Sequence, residues 1–305
     1  MSEHTAMTCG SGDIDRFRGQ GYLVLPGFLP PDLVARLKPE VDHWVDTGLR
    51  RRSIDACLAP DTDGPPPLVE LQLPAHGELA AHPPLLRLLA GLLGPSFVFH
   101  HLHSDRRPPD GPGKSWHHDY EQYPQLDRVH AMAHALHYIG GLEPGMGGLA
   151  ILPGSHRDIA DKTALAHFGT AELPGEVLLD RLPPGSTVLL HSALFHARRA
   201  APASGEGVPR ASGPRYMIDG SYCQTGRKWP PVKPYWRHLL AAGRARRLDR
   251  GEWPDLFREA HFTEYRHRAV QPAAPPGGPS RAAGAGPRRP PTAPADRDTE
   301  RQPHP

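Results

Sequence analysis

The chain has 305 residues, with 35 Lys plus Arg against 33 Asp plus Glu, a length that gives one large or two small domains and a core needing no disulfide or metal staple. This near-balance offers no basic stripe for a nucleic acid. The 3 cysteines, Cys9, Cys57 and Cys223, are widely spaced and never form a C-x-x-C pair, which fits free thiols in a reducing, cytoplasmic compartment and excludes a cysteine zinc site.

Residues 1–12 are polar, lack the apolar run of a signal peptide and read as a flexible N-terminus. A short polar helix is predicted over 13–20 and a strand over 22–25, closed by Pro26-Gly27. Pro30 and Pro31 suit the first turn of a second helix, on which Leu33, Val34, Leu37, Val41, Trp44 and Val45 recur at helical spacing; Pro39 should kink or shift it. Residues 50–67 read as a variable loop. The apolar helix over 85–93 ends at Gly94-Pro95, and it is too short, and too interrupted by Arg87, to cross a membrane.

From there the texture changes to short strands between Gly/Pro-rich turns, predicted over 97–102, 129–139, 149–152, 187–191 and 215–222. Strands without regularly interposed helices indicate a mainly β jelly roll flanked by helices rather than a parallel α/β sheet. Residues 229–268 return to helix and should pack over the barrel. The stretch 271–305 is Pro, Ala, Gly and Arg with almost no large apolar residue, a disordered tail that leaves 13–270 as the folded domain.

With 20 histidines in the chain, any one of them is a weak signal. His-x-Asp occurs at His103, His117 and His156, where chance would yield about one. In an extended segment residues i and i+2 face the same way, so His117 and Asp119 can converge on one ion. A third ligand is supplied by 185–196, a turn glycine leading into an apolar strand and then His196. Two imidazoles and one carboxylate leave three open positions on an octahedral ion, the arrangement of non-haem iron(II) oxygenases, whereas a structural zinc site closes with four ligands. Over 129–139, alternation puts His130, Met132, His134, Leu136 and Tyr138 on one face; either face could line the cavity, and core packing is the reading adopted.

Four pieces occur in order: Gly21-Tyr22-Leu23-Val24-Leu25-Pro26-Gly27; Trp116-His117-His118-Asp119-Tyr120 with Tyr123-Pro124; Gly147-Gly148 through Pro153-Gly154-Ser155-His156; and Gly185 with His196 and Arg215. In this the chain resembles the phytanoyl-CoA dioxygenase (PhyH-like) family of iron(II)/2-oxoglutarate oxygenases. The resemblance implies a double-stranded β-helix (cupin-like jelly roll), Fe(II) with 2-oxoglutarate and O2 as co-substrates, and His117, Asp119 and His196 as the metal ligands at the catalytic centre. It sets His156 and Asp158 aside as a separate landmark. Arg215 matches the arginine that binds the far carboxylate of 2-oxoglutarate by a guanidinium fork, with Arg210 as rival.

Three residues depart from the family pattern, Ser186, Ala197 and Arg198, and leave the second carboxylate anchor open. Arg107 falls where the family often has lysine and reads as a solvated loop residue. Halogenating relatives replace the carboxylate at the position of Asp119, so its retention favours hydroxylation or another oxidation of a small-molecule substrate. The Ala-, Pro- and Arg-rich composition suits a high-GC bacterium and a secondary-metabolite enzyme. Two other readings stay open: a jelly-roll protein that binds metal or ligand without turnover, and a metalloenzyme independent of 2-oxoglutarate. Nothing in the sequence speaks to oligomeric state.

Overall fold

The computed structural model describes residues 11–59, 68–109, 111–200 and 213–266. In chain order, helix α1 (Ser11–Gln20) leads into strand β1 (Tyr22–Leu25), and four helices follow: α2 (Pro31–Asp46), α3 (Leu49–Leu58), α4 (Pro74–Ala80) and α5 (Pro83–Leu93). The β region then runs through β2 (Phe97–Arg107), β3 (Lys114–His117), β4 (Met132–Tyr138), β5 (Leu149–Ile151), β6 (Val177–Leu179), β7 (Ser186–His191), β8 (His196–Arg198) and β9 (Arg215–Gln224), before α6 (Trp236–Ala245).

The strands form a 5-stranded sheet, β1-β7-β4-β9-β2, and a 4-stranded sheet, β3-β8-β5-β6. Every pairing between them is antiparallel, as expected for a jelly roll. Side chains alternate along a strand, and the larger sheet uses both faces. On one face Leu136, Tyr138, Val188 and Leu190 meet Leu149 and Ile151 of the smaller sheet. On the other, Leu23, Ala135, Leu189 and Ile218 pack with Leu33, Leu37 and Val41 of α2 and Leu85 and Leu89 of α5. Helices thus close the outer face, and chemistry is confined to the space between the sheets.

The Pro-Gly-Ser-His element clamps the start of the fold to the turn before His196. The Gly154 amide donates to Gln20 O (2.9 Å), the His156 ring bonds Arg18 O (3.0 Å), and the Phe195 amide donates to Ser155 Oγ (2.9 Å). Gly21 sits in this clamp at φ +86°, where an added Cβ would lie 2.6 Å from His156 Nδ1 and 2.8 Å from Leu194. A left-handed φ and a clash combine here, so Gly21→Ala should destabilise the chain by about 1–3 kcal/mol. A urea unfolding midpoint measures it.

Several sequence expectations need correction. α1 begins at Ser11, so residues 11 and 12 are helical rather than a flexible terminus; residues 1–10 and the expected tail, 271–305, lie outside the described residues. Pro39 does not shift α2, which is assigned continuously from Pro31 to Asp46 with Pro39 inside it. Residues 50–58, expected in a loop, belong to α3 (Leu49–Leu58), held by Leu49 and by Ser53, whose Oγ donates to Leu49 O (2.8 Å). Among the described residues of the expected helical stretch 229–268, only Trp236–Ala245 is α-helix, because Pro230, Pro231, Pro234 and Pro254 interrupt the rest. β4 starts at Met132, leaving Val129 74% exposed ahead of it. Strand β2 extends past Leu102 to Arg107, so Arg107 is a strand residue, paired opposite Arg215 and bonded to Asp105 (2.5 Å).

Candidate active site

Strands β3 and β8 pair so that His117 lies directly opposite His196. The strand ends at His117, and Asp119 follows in irregular chain whose amide donates to Ser192 O (2.7 Å). Asp119 therefore reaches His117 through a turn pinned by the loop before His196, not through strand alternation. One ligand atom from each of His117, Asp119 and His196 lies within 4.8 Å of the others. His117 Nε2 is 3.7 Å from Asp119 Oδ1, and His196 Nε2 is 3.3 Å from Asp119 Oδ2.

Both imidazoles are oriented from behind. His117 Nδ1 is 2.7 Å from Ser115 O and His196 Nδ1 is 3.0 Å from Leu194 O. A carbonyl only accepts, so each Nδ1 carries the proton and each Nε2 lone pair faces the shared point, the usual arrangement of a metal-binding histidine. His117 Nε2 is buried with no hydrogen-bond partner. Burial, and then the neighbouring His196, pull the His117 imidazole down to about 3, so it is neutral at physiological pH. Burial pushes the Asp119 carboxyl up, and positive charge at the shared point, whether a proton on His196 or a bound ion, pulls it well below the carboxylate range. The donor set fits a hard-to-borderline divalent ion with positions left open.

The other His-x-Asp pairs differ. His156 serves the clamp described above. His103 Nε2 is 3.3 Å from Arg50 Nη1 on α3, and Asp105 is paired with Arg107.

Arg215 opens β9 and is 5% exposed. Its Nη1 donates to Gly147 O (3.0 Å) and its Nη2 to Tyr138 Oη (3.1 Å), with the guanidinium 5.1 Å from the Tyr138 ring. It shares a β9 face with Asp219, four residues or roughly 13 Å along the strand. Arg198, two residues past His196 on β8, has its pKa lowered by burial and by the charge of Arg215, which places a second cation near the first. Ser186 is taken up in a turn, its Oγ donating to Pro183 O (2.6 Å) and accepting from the Gly27 amide (3.1 Å). Ala197 is buried and apolar. Arg210 lies outside the described residues.

A cleft of about 280 Å3 opens at Asp119. Its walls include His101 and His103 of β2, His134 of β4 and Asp219 of β9. His134 thus departs from the core-packing expectation, which Leu136 and Tyr138 of the same face meet. His134 Nδ1 donates to Asp219 Oδ1 (2.8 Å), and His101 Nδ1 bonds Ser221 Oγ (2.7 Å). His101, His134 and Asp219 also have ligand atoms within 4.8 Å of one another; their hydrogen bond accounts for the approach of His134 and Asp219, while His101 is held beside them by Ser221. Sequence reasoning missed this wall. Its only signal was the polar alternation of His101, His103 and Asp105 on β2 and of Asp219 and Ser221 on β9, which looks like a solvated strand until the register is known.

A double-stranded β-helix with a His-Asp-His cluster on its smaller sheet is the architecture of a non-haem metal oxygenase. Residues 17–204 match the family model of phytanoyl-CoA dioxygenase (PhyH). That is more than half the chain, and the chain belongs to this family: it is an iron- and 2-oxoglutarate-dependent oxygenase. No curated protein sequence matches it. Among solved structures it is similar to EctD from S. alaskensis with 2-oxoglutarate and 5-hydroxyectoine, at 21% identity over 75% of this chain and 80% of that one, TM-score 0.53. It is similar also to HygX from Streptomyces hygroscopicus with nickel and 2-oxoglutarate bound, at 18% identity over 73% of this chain and 90% of that one, TM-score 0.53. At such identities these two speak to the fold. Among the described residues no helix is long and apolar enough to cross a membrane.

Proposed function

We propose that His117, Asp119 and His196 hold the iron(II), and that the enzyme oxidises an unactivated C–H bond of a small organic molecule, chiefly by hydroxylation, releasing succinate and CO2. The observation that carries this is the pair of backbone carbonyls, Ser115 O and Leu194 O, which turn both imidazole lone pairs toward the Asp119 carboxylate. Bound iron(II), with 2-oxoglutarate, supplies the oxygen activation; the chain's residues hold the ion, orient the co-substrate and limit water. The retained carboxylate of Asp119 supports hydroxylation over halogenation. The catalytic domain begins with α1 at Ser11 and is taken to residue 270, with 271–305 outside it. The lack of paired cysteines and of a basic stripe supports a cytoplasmic enzyme whose partner is a small molecule, neither nucleic acid nor membrane.

Arg215 is the carboxylate clamp in this reading. It is buried, its fork is already fixed by Tyr138 and Gly147, and Arg198 adds positive charge nearby. With iron(II) under anaerobic conditions, 2-oxoglutarate should give the weak visible charge-transfer band of an iron-bound 2-oxo acid. Arg215→Ala should weaken 2-oxoglutarate binding roughly 10- to 100-fold, the worth of a charge-assisted fork. A wild-type protein that binds iron yet gives no band overturns the co-substrate assignment.

A further inference from the structure

The cleft at Asp119 is unlike a typical small-molecule pocket. At about 280 Å3 it sits at the low end of such sites, which run roughly 300–1,000 Å3 and are mostly apolar. Among the described residues that line it, only Val232 is hydrophobic. Its occupant is therefore small and must satisfy polar walls.

Which groups are left to satisfy follows from their partners. Glu121 is bonded to Lys162 (2.6 Å), and Lys233 is buried against Glu70 and the Leu102 carbonyl. His101 is held by Ser221 (2.7 Å), and Asp119 belongs to the metal cluster. Two kinds of demand remain. First, His134 is 3% exposed and its Nε2 is buried with no hydrogen-bond partner, while Asp219 fixes the ring through Nδ1. A buried nitrogen without a partner is costly unless a ligand bonds it. Second, Arg50 touches only the ring nitrogen of His103 (3.3 Å), and neither Arg50 nor Lys114 is ion-paired with a carboxylate among the described residues. His103 Nδ1, also on the lining, is likewise buried without a partner, so the cleft presents two unsatisfied imidazole nitrogens, the one on His134 oriented by Asp219, and two cations not paired with a carboxylate.

We infer that the molecule oxidised is a small hydrophilic acid, with a hydroxyl or amino group bonded to His134 and its anionic group facing Arg50 and Lys114. This rests on the reading of the metal centre above and goes beyond it, since a fatty acyl chain would strip water from every one of these groups and replace none of their bonds. A hydroxyl suits His134 in either protonation state, because it both donates and accepts. The His134–Asp219 pair then sets which face of the substrate turns to Asp119.

The test uses the full chain with iron(II), 2-oxoglutarate and oxygen, and reads succinate formation over a panel of small hydroxy and amino carboxylic acids, their primary amides, and a long-chain acyl-CoA. Hydrophilic acids should stimulate turnover, their amides should not, and the acyl-CoA should be inert. For a stimulating acid, Arg50→Ala with Lys114→Ala should raise KM about tenfold or more, the loss of one charge-assisted contact; both residues are exposed, so the fold survives their removal. His134→Ala should lose the stimulation while keeping the anaerobic 2-oxoglutarate band. Stimulation by the acyl-CoA, amides as good as acids, or no response to any hydrophilic acid overturns the inference. Absence of the band in wild type instead overturns the metal-centre reading beneath it.

Discussion

His117→Ala is expected to abolish iron binding and turnover while leaving a folded protein. Losing only the hydrogen-bond partner of a metal-binding histidine costs roughly 10–100-fold in metal affinity, and losing one of three protein ligands must cost more. The Nε2 of His117 has no protein partner, so nothing in the fold depends on it, and the neighbouring Trp116, fully buried and bonded to Ala171 O (2.8 Å), continues to hold the strand. The adjacent His118 provides the contrast. Its Nε2 bonds Ala160 O (3.0 Å) and its ring packs edge-on to Phe195, so His118→Ala should lower stability and retain iron. Metal analysis of the two purified variants, beside their urea midpoints, separates the roles; iron retained by His117→Ala would sink the ligand assignment.

The second large effect is on stability. Glu70, 0% exposed, and Lys233, 5% exposed, form an ion pair beneath the cleft, where Tyr235 Oη also donates to Glu70 (3.1 Å). Breaking a buried pair on one side leaves a lone charge out of water, a loss of about 3–5 kcal/mol against a total stability of roughly 5–15 kcal/mol. Glu70→Gln should therefore shift the urea midpoint far more than any exposed ion pair, such as Arg51–Asp55, whose worth is about 0–1 kcal/mol. Adding Lys233→Met to Glu70→Gln should recover most of the loss, because no unpaired charge is then buried. A double variant as unstable as the single one would mean that packing, not charge, sets the cost.

How far the sequence could be read follows the same physical line. Strands with apolar cores and turn residues at both ends, such as β5, β7 and β9, were legible within one or two residues. The second half of β2 was not, because His103 and Asp105 face the space between the sheets and erase the hydrophobic period. α3 was hidden by its three consecutive arginines and by a packing face of mixed type, Leu49, Ser53, Ile54 and Cys57, that reads weakly as an apolar stripe. The stretch after Gly226 carried Trp and Leu at helical density, and its prolines decided the outcome. His117, Asp119 and His196 were candidates because type and spacing suffice to nominate ligands. The wall of His101, His134 and Asp219 was not, since it comes from three strands whose register no local pattern records.

Strand β4 has no exposed residue, yet its successive positions answer to different demands. Ala133 and Ala135 lie under the helices, where only volume matters, while His134 opens on the cleft and Tyr138 lies beneath Arg215. Of the even positions only His134 lines the cleft, for Met132 and Leu136 belong to the core and Tyr138 braces Arg215, so substrate contact on this strand rests on a single side chain. A change of substrate can therefore enter through one position of β4 while its neighbours on both sides hold the scaffold.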